Sequence, residues 1–110
     1  GMNADPEKPG YKHIVFHPQP VADLSFVKYY NQTVYGEAGI EWKKENGTFL
    51  AKISVPVGCK ATVYIPLMQG KVITESGRSI VNSKDLKSLK EAEGYQVFAV
   101  KSGKYEFVSK

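Results

Sequence analysis

Apolar and polar residues alternate with a period of two along most of this 110-residue chain. Successive side chains of a β-strand point to opposite faces of its sheet, so the alternation predicts strands that are buried on one face. Proline, glycine and asparagine interrupt the pattern at short intervals, as expected where one strand ends and the next begins. The clearest one-sided sets are Phe49, Ala51, Ile53 and Val55, followed by Ala61, Val63 and Ile65.

Three dipeptides predict tight turns between neighbouring strands. Asn46-Gly47 is the strongest hairpin signal, because both residues tolerate the positive φ angles of a type I′ turn. Ser76-Gly77 and Ser102-Gly103 are interpreted as turns of the same kind. Together with the alternation, these turns predict an all-β fold: an antiparallel β-sandwich of about eight strands, of the Greek-key or jelly-roll type.

Residues 83–94 depart from the two-residue alternation. Leu86, Leu89 and Ala92 recur at three-residue spacing, while Ser83 is a suitable residue to cap the start of a helix and Gly94 to end it. The segment is therefore interpreted either as one or two helical turns or as a charged loop.

Trp42 and Cys59 are both expected to be buried. Trp42 shares a strand face with Ile40, opposite Glu41 and Lys43, which favours core packing over a role as an exposed platform for sugars. Cys59 is the single cysteine, so an intrachain disulfide and a cysteine-based zinc site are both excluded. A small buried thiol is the usual state of such a residue.

The net charge of +4 raises the question of nucleic-acid binding. Fourteen of the fifteen basic residues are lysines and the exception is Arg78, whereas nucleic-acid sites favour arginine for its two-pronged contacts. The lysines are also interleaved with eleven acidic residues, which is typical of a solvated surface. We therefore predict no nucleic-acid partner. No apolar run approaches the roughly 20 residues of a spanning helix, so no membrane partner is predicted either.

The residues offer no recognisable catalytic constellation. A glycosidase normally needs two carboxylates flanking the scissile bond, yet Glu41, Glu45, Glu91 and Glu93 are all expected on outward faces or in loops. His13 and His17, four residues apart on one strand, would be separated by about 13 Å, too far to share a metal ion. No catalytic residue, metal site or cofactor is predicted from these patterns.

An ordered series of segments resembles the C-terminal β-sandwich of bacterial α-L-rhamnosidases, glycoside hydrolase family 78. Residues 9–20, PGYKHIVFHPQP, resemble the join between the helical catalytic barrel and that sandwich. The likeness extends over almost the whole chain, although residues 57–60 replace the small polar turn usual in the family. The further matching segments are Tyr35-Gly36, Glu41-Trp42-Lys43, Phe49, Val55-Pro56, residues 61–66, Glu75-Ser76-Gly77 and residues 102–107.

This resemblance implies a non-catalytic part of an inverting enzyme that removes terminal α-L-rhamnose. The acid and base carboxylates of the family lie in an (α/α)6 barrel, which is then the expected partner within the same full-length chain. Rhamnose-containing glycans would be reached through the intact enzyme. The family also has a histidine near the join that contacts the sugar, and His13 stands at the matching position. His13 is therefore predicted to bind substrate, whereas His17 is expected at the surface.

The resemblance also suggests how the chain is divided. Residues 1–2 are expected to be an expression-tag remnant. Residues 3–20 are expected to hold the junction from the missing catalytic barrel and the first strand, and residues 21–110 the remainder of a single sandwich domain. A bacterial protein is implied, whether cytoplasmic or periplasmic. Two other functions fit an isolated sandwich: an independent carbohydrate-binding module, which needs exposed aromatic residues, and an immunoglobulin-like interaction domain, which needs a large apolar patch. Docking on a barrel instead predicts an apolar face that includes residues 11–16.

Overall fold

The computed structural model describes residues 2–5, 12–20 and 24–110, and within them it contains β-strands and no helix. The alternation of apolar and polar residues gives each long strand one buried face. The strands are β1 (Met2–Asp5), β2 (Lys12–Phe16), β3 (Ser25–Thr33), β4 (Gly36–Glu45), β5 (Thr48–Val55), β6 (Cys59–Pro66), β7 (Ile73–Glu75), β8 (Arg78–Ser79), β9 (Leu86–Ala92), β10 (Tyr95–Val100) and β11 (Gly103–Ser109).

The strands form two sheets that pack face to face, which confirms the predicted all-β sandwich. Sheet A has the strand order β1-β2-β6-β10-β9, and sheet B has the order β3-β4-β5-β11-β7-β8. Neighbouring strands are antiparallel, apart from the parallel pair β2 and β6. The described residues form eleven strands against the predicted eight or so, and β1 and β9 are the two that the sequence pattern did not predict.

The core lies between the sheets and consists of the predicted apolar faces. Trp42 is 7% exposed and packs on Phe49, with ring centroids 5.5 Å apart, so its assignment to the core is confirmed. Cys59 is also buried, as expected. Every buried side-chain nitrogen or oxygen among the described residues has a hydrogen-bond partner. The closed core and satisfied polar groups are those of a stable small domain.

Two of the predicted tight turns are confirmed by their backbone angles. Asn46 and Gly47 have φ angles of 52° and 75°, and they join the antiparallel strands β4 and β5. Ser76 and Gly77, with φ angles of 53° and 78°, join β7 and β8 in the same way. Both central residues lie in the left-handed region, as a type I′ turn requires.

The prediction that Ser102-Gly103 forms a turn of the same kind is wrong. The strands on either side, β10 and β11, lie in different sheets, so this dipeptide carries the chain from sheet A to sheet B. β11 pairs instead with β5, with Gly103 opposite Val55. The alternation in each strand was read correctly, but the pairing partner is set by contacts distant in sequence.

Residues 83–94 form neither a helix nor a charged loop, because β9 occupies most of the segment. Glu93 and Gly94, with φ angles of 51° and 87°, form a hairpin turn to β10. A β-bulge displaces the register: Ser88 is opposite Phe98 and Lys90 is opposite Val97, which leaves Leu89 as the extra residue. One inserted residue breaks a period of two, and this bulge produced the apparent three-residue spacing.

Candidate functional site

The candidate site lies on the face of sheet A that points away from the core, here called face A. Its central residues are His13 and Val15 on β2 and Thr62 and Tyr64 on β6, all half-buried. Ile14 and Phe16 alternate with the first pair and are buried in the sandwich core. The expectation that residues 11–16 form one apolar docking face is therefore wrong for Ile14 and Phe16, and Tyr11 lies outside the described residues.

His13 is held in place by a side chain on the neighbouring strand. Its Nε2 lies 2.7 Å from the Thr62 hydroxyl oxygen, a short hydrogen bond between two half-buried groups. The parallel pairing of β2 with β6 places His13 opposite Lys60 and Val15 opposite Thr62, so the imidazole reaches diagonally along the sheet. With Nε2 engaged by Thr62, Nδ1 is the second ring nitrogen, the one at which a ligand would hydrogen-bond.

Three rings form an aromatic cluster at the other end of face A: His17, Tyr64 and Tyr95. The imidazole of His17 stacks on Tyr64 with ring centroids 4.2 Å apart and an angle of 11° between the ring planes. It also meets Tyr95 edge-on, with the centroids 4.7 Å apart. The Tyr95 hydroxyl donates a 2.8 Å hydrogen bond to the Pro18 carbonyl. The cluster thus fastens the segment after β2 onto strands β6 and β10.

The expectation that His17 is a surface residue is wrong. It is half-buried in the aromatic cluster, and burial, the largest effect, lowers the pKa of its imidazole below the usual 6.5, against a smaller opposing effect of Glu93. Both ring partners are distant in sequence, so the local pattern of β2 gave no signal of them. Nearby, Val97 faces outward opposite Tyr64 yet is 2% exposed, which makes this end of face A densely packed.

We expect the free energy of unfolding to fall as the pH drops below about 6.5, in part because of His17. Its pKa is lower in the folded state, so the unfolded chain takes up the proton first and the stabilisation is lost progressively down to the folded pKa. His17→Phe preserves a stacking ring but cannot titrate. Thermal unfolding from about pH 7.5 to pH 5 should show a smaller loss for this variant. Identical pH profiles would contradict the assignment.

Among residues 24–110, every Asp or Glu side chain is at least partly exposed, as predicted for Glu41, Glu45, Glu91 and Glu93. Within the described part of the chain, no three side chains of the His, Cys, Asp and Glu types are grouped as a metal site would need. Nor do the described residues include a helix long and apolar enough to span a bilayer.

The family model of the bacterial alpha-L-rhamnosidase C-terminal domain matches residues 1–79. An alpha-L-rhamnosidase of Formosa agariphila is 30% identical over 105 residues, which cover 96% of this chain and 11% of that protein. The chain thus spans about one tenth of the length of this relative.

Two solved structures resemble the sandwich closely. The alpha-L-rhamnosidase of Dictyoglumus thermophilum superposes with a TM-score of 0.78 at 36% identity, covering 96% of this chain and 12% of the other. The alpha-L-rhamnosidase of Streptomyces avermitilis, solved in complex with L-rhamnose, gives a TM-score of 0.78 at 23% identity. It covers 97% of this chain and 10% of the other, and at that identity the likeness concerns the fold.

Proposed function

Because this chain belongs to the bacterial α-L-rhamnosidase C-terminal domain family, we propose that it is the non-catalytic β-sandwich of such an enzyme. In this proposal it packs on the (α/α)6 catalytic domain, which hydrolyses terminal α-L-rhamnosides with inversion. Residues 3–20 comprise the junction with that domain together with the first strand, and residues 21–110 are the remainder of the sandwich. The observation that carries the proposal is the family match over a chain that spans about one tenth of its relatives.

The chemistry of the described residues supports a supporting role. Inverting hydrolysis requires a carboxylic acid and a carboxylate about 6.5–9.5 Å apart, one protonating the leaving oxygen and the other activating water. The described acids lie on solvated faces, and the Glu45 carboxylate pairs with Lys43 at 3.3 Å. A catalytic acid usually needs a raised pKa, which an apolar, water-poor environment provides. The catalytic pair is therefore assigned to the partner domain.

Face A is the proposed side of contact with the catalytic domain. It carries the half-buried His13, which lies within residues 3–20, and the aromatic cluster of His17, Tyr64 and Tyr95. From this face, the Nδ1 of His13 would hydrogen-bond a rhamnose hydroxyl or the attacking water at the edge of the active site. His13 is accordingly proposed as a substrate-binding residue that takes no part in proton transfer.

The 110-residue chain alone is expected to release no 4-nitrophenol from 4-nitrophenyl α-L-rhamnoside above a buffer blank. The reason is that residues 24–110 hold no buried carboxylate pair, without which neither the leaving group nor the water is activated. A full-length relative such as the Dictyoglumus thermophilum enzyme serves as the positive control for the substrate. If the pure chain turns over the substrate, and an independently prepared sample does so too, the non-catalytic assignment is contradicted.

A further inference from the structure

A groove crosses the outward face of sheet B, on the opposite side of the sandwich from face A. It encloses about 320 Å³ and is lined by Phe26, Glu41, Trp42, Lys43, Leu50 and Lys52. This volume is at the lower end of the range for small-molecule sites. The groove spans strands β3, β4 and β5, which form a continuous antiparallel ladder.

The strand register arranges the groove as two parallel rows of side chains. In the first row, Phe26 is opposite Lys43, which is opposite Leu50. The Phe26 side chain is 74% exposed, so its ring is presented to solvent and contributes little to the core. This row therefore offers a flat aromatic surface and an aliphatic side chain next to the stem of a lysine.

The second row consists of charged residues of alternating sign. Lys28 is opposite Glu41, which is opposite Lys52, which is opposite Glu106 on β11. Glu41 and Lys52 line the groove, and Lys28 and Glu106 continue the row on either side of it. Hydrogen-bond donors and acceptors thus alternate along a line beside the apolar row. The charges nearly cancel, and this arrangement does not favour a strongly charged ligand of either sign.

Glu41 is held in position by its neighbour Tyr30. The Tyr30 hydroxyl donates a 3.0 Å hydrogen bond to Glu41 Oε2. The ring itself lies over Gly39, where an added Cβ would come within 2.1 Å of Tyr30 Cδ1. A glycine opposite an aromatic residue lets the ring lie flat across the neighbouring strand. The groove therefore contains a carboxylate oriented before any ligand arrives, which lowers the entropy lost on binding.

We propose that this groove binds a neutral pyranose sugar. A pyranose ring has an apolar C–H face, which suits Phe26 and Leu50, and an edge of hydroxyl groups, which suits the alternating donors and acceptors of Glu41 and Lys52. Within the groove itself the outward apolar side chains are one exposed ring, Phe26, and the half-buried Leu50, which is less than the dry apolar core of a protein interface. The site is separate from the one in which His13 is proposed to act, and it does not depend on the catalytic domain.

The test is an NMR titration of the ¹⁵N-labelled 110-residue chain with methyl α-L-rhamnopyranoside and methyl β-D-glucopyranoside. We expect weak binding of at least one glycoside, with amide shifts concentrated at residues 26, 41–43 and 50–52. Phe26→Ala should weaken that binding by at least about fivefold, because the stacking surface is removed. Glu41→Gln should weaken it as well.

Val34→Ala is the matched control, because Val34 is 93% exposed and lies in the turn after β3, away from the groove. It should bind as the parent does. Absence of shifts with both glycosides, shifts confined to other strands, or equal binding by Phe26→Ala and the parent would each overturn the proposal. Failure here leaves the accessory role untouched, since that role concerns the opposite face and is tested by turnover.

Discussion

Trp42→Ala is expected to lower the free energy of unfolding by about 3–5 kcal/mol, the range seen when a buried aromatic side chain is truncated. Trp42 is in the centre of the β4 ladder, with Val27 and Ala51 as its register partners, and its indole packs on Phe49. Neither neighbouring strand can collapse into the space without disturbing the pairing on both sides. The loss is a large fraction of the roughly 5–15 kcal/mol that stabilises a domain of this kind.

This effect is measured by urea denaturation monitored by far-UV circular dichroism, a signal that does not depend on the tryptophan being removed. Phe26→Ala provides the matched control: it removes another aromatic side chain, on the adjacent strand, from an exposed position. Its effect should stay within about 0.5 kcal/mol. A Trp42→Ala variant as stable as Phe26→Ala would show that the indole is not part of the core.

The strands that the sequence predicts correctly are those whose burial is one-sided and uninterrupted. Phe49, Ala51, Ile53 and Val55 follow a strict period of two and are all buried. The Asn46-Gly47 hairpin was equally predictable, because its turn chemistry is local and specific. In both cases the information needed is contained within about ten residues of chain.

Pairing between distant segments is what the sequence pattern could not supply. The parallel contact of β2 with β6 and the passage from β10 to β11 between sheets depend on which apolar faces meet in the folded core. The bulge at Leu89 also disguised β9, because a single extra residue shifts the phase of the alternation. The β-strand propensities of the individual residues are too weak to identify the strand once the alternation is out of phase.

The candidate site also has a part that the sequence could predict and a part that it could not. That His13 lies on a strand beside the junction could be predicted, since the resemblance concerns a contiguous motif. Its hydrogen bond to Thr62 and the stacking of His17 on Tyr64 could not be, because both partners are on β6, far along the chain. In the sequence, the outward positions of face A alternate with apolar residues just as those of a solvated strand face do. The pattern therefore predicted a surface position for His17, which is wrong.

The variant His13→Ala is made in an intact α-L-rhamnosidase that contains this domain. We expect it to lower kcat/KM at least about tenfold. This loss corresponds to the roughly 1–3 kcal/mol that one hydrogen bond to a substrate group contributes. The position of the imidazole on face A supports this proposal. The hydrogen bond between Nε2 and Thr62 fixes the orientation of the ring, and therefore also the direction in which Nδ1 points. Steady-state kinetics with an α-L-rhamnoside measure the loss. The pKa values seen in the pH profile of kcat should stay the same, because the proton-transfer groups belong to the catalytic domain.

Two companion variants separate binding from folding. His17→Phe retains the stacking on Tyr64 and should keep the parent's kcat/KM, since His17 is occupied within the aromatic cluster. Thr62→Val removes the partner of Nε2 while leaving the imidazole present, so it should give an intermediate loss by loosening the orientation of the ring. All three variants should melt as cooperatively as the parent. If His13→Ala and His17→Phe both match the parent in kcat/KM, His13 does not contact the substrate and face A contributes packing alone.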